Sequence, residues 1–179
     1  GCIDLGNMLF NQNKPGEAAA HFQTACDDGN SNACFAAAKS AEIAKDKASA
    51  KIYYQKSCGF SLAMGCHNLG DLYHQEGLRD KAKEIFKQGC NLGYGGSCSN
   101  LGVYANEKGQ RPEAMKLFRQ ACDLKSDKGC FNLGGEILKD QPSDAIAPFT
   151  TACSVGYVPA CNDLGVAYER TNALIPAKE

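Results

Sequence analysis

Cysteine is the residue with the most chemistry to offer in this chain, and ten of its eleven cysteines keep one internal spacing. Cys26 and Cys34, Cys58 and Cys66, Cys90 and Cys98, Cys122 and Cys130, and Cys153 and Cys161 are each separated by seven residues. Each pair follows the last after 32 residues, except for a final step of 31. Thiols so placed could form disulfides, ligate a metal or act as nucleophiles. Structural zinc needs four ligands around one ion, usually from two Cys-x2–4-Cys knuckles. The chain has no Cys-x-x-Cys, and successive pairs lie too far apart in sequence to converge. Nor does it contain the Gly-x-Ser-x-Gly or Ser-x-x-Lys of common acyl-transfer enzymes. A disulfide sets a geometric condition. Residues eight apart in one helix lie ~12 Å apart, whereas bridged Cα atoms lie within roughly 7 Å. Each pair, if bridged, therefore straddles a turn. The residues between agree: Asp27 to Asn32, Asn91 to Gly96 and Asp123 to Lys128 are rich in turn formers.

Cutting the chain before each second cysteine gives units that begin near Gly1, Ala33, Gly65, Ser97, Gly129 and Ala160. The fifth and sixth residues read Leu-Gly in five units: Leu5-Gly6, Leu69-Gly70, Leu101-Gly102, Leu133-Gly134 and Leu164-Gly165. The second unit has Ala37-Ala38 instead. Later in each unit an alanine precedes an aromatic by four: Ala18 and Phe22, Ala50 and Tyr54, Ala82 and Phe86, Ala114 and Phe118, Ala145 and Phe149. These spacings are helical and predict two helices per unit, A and B. Breaker stretches divide them, and Pro15, Pro112 and Pro142 fall near the start of helix B, where a missing N–H costs least. A glycine inside helix A costs about 1 kcal/mol against alanine, so its recurrence predicts a neighbouring helix too close for a Cβ. One such hairpin cannot bury its apolar face alone, and a period in this range predicts stacked copies.

The pattern resembles the Sel1-like repeat family, specifically its cysteine-rich secreted branch known from Helicobacter. The resemblance rests on Gly65-Cys66-His67-Asn68-Leu69-Gly70, Ser97-Cys98-Ser99-Asn100-Leu101-Gly102 and Gly129-Cys130-Phe131-Asn132-Leu133-Gly134, with Ala25-Cys26, Ala121-Cys122 and Ala152-Cys153. It covers essentially the whole chain. The units are shorter than the family's usual repeat, and their spacing also resembles the related tetratricopeptide repeat. The resemblance implies an all-α, right-handed α/α solenoid of about five helical hairpins, in one array over residues 1–179. It also implies bridges at Cys26–Cys34, Cys58–Cys66, Cys90–Cys98, Cys122–Cys130 and Cys153–Cys161. Cys2 is left unpaired; by register it is the second member of a pair, so a further helix is expected upstream. At the other end, the last unit is expected to stop partway into helix B, with Pro176 in a frayed cap.

Regular bridges need an oxidising compartment, so the expected location is secreted or periplasmic. The alternative is a cytosolic chain with reduced, buried cysteines. The formal net charge of −1 and a pI near 6.3 offer no basic patch for nucleic acid. No apolar run approaches the ~20 residues of a membrane span. No cofactor is expected, and the chain is read as a monomer.

The tetratricopeptide register implies a groove lined by the third, fourth, seventh and tenth residues of each unit. The candidate residues are Phe35, His67, Asn68, Asp71, His74, Asn100, Phe131 and Asn132. The resemblance suggests that Asn68, Asn100 and Asn132 grip the backbone of a peptide. Asparagine there can equally bond the neighbouring repeat, and both readings stand. Phe35 and Phe131 are either packed against the next helix or peptide anchors. His67 and His74 share a helix face and read first as solvated or hydrogen-bonded residues. The expected function is therefore a scaffold for a peptide or protein partner. The alternative implied by the resemblance is a weak penicillin-binding or β-lactam-hydrolysing protein.

Overall fold

The computed structural model describes residues 1–173, and among them every regular element is an α-helix. The expected cap around Pro176, and any helix B of the sixth unit, lie outside the described residues.

The chain forms two compact units, divided between Gly93 and Tyr94. The first holds α1 (Cys2–Asn11), α2 (Pro15–Asp27), α3 (Ser31–Ile43), α4 (Lys47–Gly59), α5 (Ala63–Gln75) and α6 (Arg79–Asn91). The second holds α7 (Gly95–Glu107), α8 (Arg111–Asp123), α9 (Asp127–Leu138), α10 (Pro142–Ser154) and α11 (Val158–Ala173). Odd-numbered helices are the A helices and even-numbered ones the B helices. Within each unit, helices consecutive in sequence pack side by side as hairpins. From α3 onward the A helices begin two residues before the unit boundaries drawn from sequence, while the prolines fall as expected. Pro15 and Pro142 are the first helical residues of α2 and α10, and Pro112 is the second of α8.

Three-residue turns join the helices, and most turn back through one residue of left-handed conformation. Gly77 and Gly109 supply it freely; Lys45, Ser61 and Lys125 adopt it at φ near +63° despite carrying a Cβ. The short final step of the cysteine spacing has a location. α9 has 12 residues where α3, α5 and α7 have 13, so the missing residue falls at the end of helix A in the fifth repeat.

The recurrent helix-A glycine has the cause its recurrence predicts. A Cβ on Gly6, Gly70, Gly102 or Gly134 would lie 2.5–2.7 Å from the ring of Phe22, Phe86, Phe118 or Phe149. Each aromatic is buried against helix A of its own repeat. In the second repeat, where alanine replaces glycine, the aromatic is tyrosine; Tyr54 is fully buried and shares a core cluster with Ala38. Among the described residues, nothing lies within 4 Å of a Cβ on Gly165.

The bridges sit where the spacing requires, across the turn from helix B to the next helix A. Cα separations are 4.5 Å for Cys26–Cys34 and Cys58–Cys66, 4.4 Å for Cys122–Cys130 and 4.7 Å for Cys153–Cys161. Cys90 and Cys98 are also disulfide-bonded, and Cys2 is free and exposed. Close approach at this turn explains the small residue before each second cysteine. A Cβ on Gly65 would lie 2.4 Å from Ser57 Oγ, and one on Gly129 2.4 Å from Ala121 Cβ.

Candidate functional site

Each unit carries one network centred on a carboxylate. In the first unit, Lys39 Nζ donates to Glu42 Oε2 at 2.7 Å and Tyr54 Oη donates to the same oxygen at 2.8 Å. Asn68 Nδ2 in turn donates to Tyr54 Oη at 3.0 Å. Burial works to raise the Glu42 carboxyl, but the bonds from Lys39 and Tyr54 outweigh it and hold the group below the ordinary glutamate value. Burial also pushes the Tyr54 hydroxyl well above its ordinary range.

Of the predicted residues of this unit, Phe35 and Asn68 meet that chain. The Phe35 ring packs 5.7 Å from that of Tyr54, and the His67 ring lies 5.8 Å from that of Phe86. His67 Nε2 is 3.4 Å from Asp71 Oδ2, one helical turn along α5. His74 is exposed near the end of the same helix. Asn68 therefore spends one amide N–H on the neighbouring repeat, as the structural reading of these asparagines expects. An amide carries two such hydrogens and an accepting oxygen, so a second edge remains.

In the second unit the carboxylate is Glu136, on α9 and only 4% exposed. Two helices and the C-cap of α9 supply its surroundings. Asn106 Nδ2, from α7, donates to Oε1 at 2.9 Å. Arg111, from α8, donates through Nε to Oε2 at 3.1 Å and through Nη2 to the Glu136 carbonyl at 2.6 Å. Lys139, one turn on, donates to both carboxylate oxygens at 2.7 and 2.8 Å. Arg111 also pairs with Asp140 at 2.6 Å. Burial again opposes ionisation, and again loses, here to Lys139 and Arg111; Glu136 is held below the ordinary glutamate value. Asp140, then Glu136, hold Arg111 more firmly in its charged form.

Beside this network lies an open cavity of about 380 Å³. α7 contributes Val103, Asn106 and Glu107; α8 contributes Phe118; α9 contributes Phe131, Asn132, Gly135 and Glu136, and its C-cap contributes Lys139. Val103 and Asn106 occupy the seventh and tenth positions of their repeat, and Phe131, Asn132 and Gly135 the third, fourth and seventh of theirs. These are the positions the tetratricopeptide register assigns to a groove. The structure thus brings Phe131 and Asn132 to one cavity, while Asn100, half-buried on α7, is not among its lining residues. Asn132 Nδ2 donates to Ser99 Oγ at 3.3 Å, again leaving one edge of the amide. Phe131 also packs against Phe149 and Tyr157, with ring centroids 6.0 and 5.2 Å away.

Glu136, Arg111, Lys139 and Gly135 are not among the candidate residues drawn from sequence. A signal for Glu136 existed. Down the eighth position the repeats read Met8, Ser40, Leu72, Tyr104, Glu136 and Ala167, a column that is otherwise mostly apolar. Ser40, the other polar break, is fully buried, and its Oγ has no hydrogen-bond partner among the described residues. No group of three or more His, Cys, Asp or Glu among the described residues is placed to hold a metal ion. No helix among them is long and apolar enough to cross a membrane.

Tetratricopeptide repeat models match residues 65–92 and 96–125. No curated protein matches the chain as a relative. Among solved structures, the chain superposes on c5321, a protective antigen of uropathogenic Escherichia coli displaying an SLR fold, with TM-score 0.80 and 21% identity. That match covers 94% of this chain but only 41% of the antigen. A Sel1 repeat protein from Oxalobacter formigenes matches with TM-score 0.79 and 16% identity, over 93% of this chain and 77% of the other. YrrB, a TPR protein with an unusual peptide-binding site, matches with TM-score 0.56 and 18% identity, over 84% of each chain.

Proposed function

From its standing as a disulfide-stapled repeat protein of the Sel1-like and tetratricopeptide fold, we propose that this chain is an interaction scaffold whose helix-A faces hold an extended peptide or a protein segment. The observation that carries this reading is the cavity between α7 and α9. It is lined by the register positions that form the groove in related repeats, and it combines aromatic and aliphatic walls with the amides of Asn106 and Asn132. Such a mixture suits an extended chain: apolar surface takes side chains and amides pair with backbone. YrrB, of the same fold class, is described as having a peptide-binding site.

The disulfides point to an oxidising, extracytoplasmic environment. We assign the chain to the periplasm or the secreted fraction, where it acts as a monomer. In the first unit, Phe35, His67, Asn68, Asp71 and His74 would present the same kind of surface, and Asn100 would contribute from α7.

The test is selection of phage-displayed random dodecapeptides on the purified, non-reduced protein. Replacing Asn68, Asn100 and Asn132 together by alanine is expected to weaken the selected peptides at least tenfold while the helical circular dichroism persists. Equal binding by the variant would sink the assignment of these asparagines. The hydrolase alternative is checked with a chromogenic cephalosporin, for which no turnover above an unfolded control is expected.

A further inference from the structure

Four helix-A glycines are explained by an aromatic ring that leaves no room for a Cβ, but Gly135 is not. It lies inside α9, one residue after Gly134, and among the described residues nothing lies within 4 Å of where its Cβ would be. A helix-interior glycine with open space above it gives up helix stability for no packing gain inside the chain. The open space is the cavity between α7 and α9. At the same position the other repeats carry Asn7, Lys39, Asp71, Val103 and Val166. In this repeat alone the position is bare.

We infer that Gly135 is the floor of a socket for one leucine-sized apolar side chain of a bound extended peptide, an inference that rests on the scaffold reading above. Val103, Phe118 and Phe131 give the socket an apolar wall. The charged residues that line it, Glu107, Glu136 and Lys139, each carry an interaction within the protein, which favours an uncharged occupant. The Glu136 carboxylate is already met by Arg111, Lys139 and Asn106, so it has little attraction left for a basic side chain. Lys139 is likewise turned onto that carboxylate and away from an acidic one. At the rim, Asn106 donates once to Glu136 and Asn132 once to Ser99. Each amide keeps one N–H and its oxygen side for the peptide backbone on either side of the anchored residue. Glycine at the floor lets that backbone approach α9 more closely than any Cβ would allow.

The test uses the oxidised protein, labelled with ¹⁵N, and N-acetylated, C-amidated pentapeptides Gly-Ser-Xaa-Ser-Gly in which Xaa is Leu, Ala, Asp or Lys. The Leu peptide is expected to shift the amide resonances of Val103, Asn106, Phe131 and Asn132, and to bind at least fivefold more tightly than the other three. Gly135→Leu, which fills the socket with its own side chain, should abolish that preference. Gly135→Ala should weaken the Leu peptide while raising the melting temperature by roughly 2–4 °C, showing that the loss comes from the socket and not from unfolding. Peptides that shift these resonances with no dependence on Xaa, or that bind Gly135→Leu unchanged, would overturn the socket and leave the scaffold reading standing. If no peptide shifts any resonance of α7 or α9, both fall.

Discussion

In the first unit the eighth position of a repeat holds Ser40, buried with a hydroxyl that has no partner among the described residues; in the second unit the same position holds Glu136, buried and bonded by side chains from α7, α8 and the C-cap of α9. The nearest carboxylate network of the first unit, Lys39–Glu42–Tyr54–Asn68, closes on a helix-B aromatic and leaves Phe35 packed over it. That of the second unit ties down the end of α9, where the repeat is one residue short, beside an open cavity and a glycine with no neighbour. One register position can thus be polar at a loss, or polar because neighbouring side chains meet its charge. The burial of a polar residue does not separate the two cases; the partners it keeps do.

The bridges hold both units and are the largest lever on either. Replacing Cys58 and Cys66 together by serine removes closure of a nine-residue loop, expected to cost about 2.5 kcal/mol. The pair Cys122 and Cys130 should cost about the same. Guanidinium denaturation of the two variants checks this, and a difference of more than about 1 kcal/mol between them would show that one unit leans on its staple more than the other.

Glu136→Gln comes next. It keeps the size of the side chain but removes the charge that Arg111 and Lys139 bond, at an expected cost of about 2 kcal/mol at neutral pH. The folded-state pKa of Glu136 is depressed, so the contribution of its charge is present above the unfolded value of about 4.3. It is lost as pH falls through the lower folded value. The melting temperatures of the parent and the variant should therefore converge as pH is lowered from 6 toward 3. Curves that stay parallel would show that the carboxylate is not what stabilises this helix end.

The smallest effect should have the opposite sign. Ser40→Ala removes a buried hydroxyl that has no partner among the described residues and should raise stability by about 1 kcal/mol. A loss of stability instead would show that the hydroxyl has a partner, and the contrast with Glu136 would vanish.

How much of this was legible in the sequence divides along the same line. The hairpins, the turn-straddling cysteines and the glycine-to-aromatic contact repeat every 32 residues. A feature copied five times announces its own geometry, because each copy must meet the same neighbour. The groove register also led to Phe131 and Asn132. The cavity's own determinants did not repeat. Gly135 is hidden behind Gly134, whose glycine has a packing reason, and Glu136 stands out only in a column with Leu72 and Tyr104. The roles of Asn68 and Asn132 depended on which hydroxyl lay opposite, Tyr54 or Ser99, and no spacing within a repeat gives that.

The eight-residue separation of every bridged pair also bears on how the chain reaches this state. The right partner of each thiol is always the nearest one in sequence, across a turn that the local residues already favour. Ten cysteines can pair in about 900 ways, but a loop this short gives the native choice the lowest closure entropy. Oxidation can therefore proceed turn by turn as the polypeptide emerges into an oxidising space, with each staple set before the next repeat arrives and little call for an isomerase to undo mistakes.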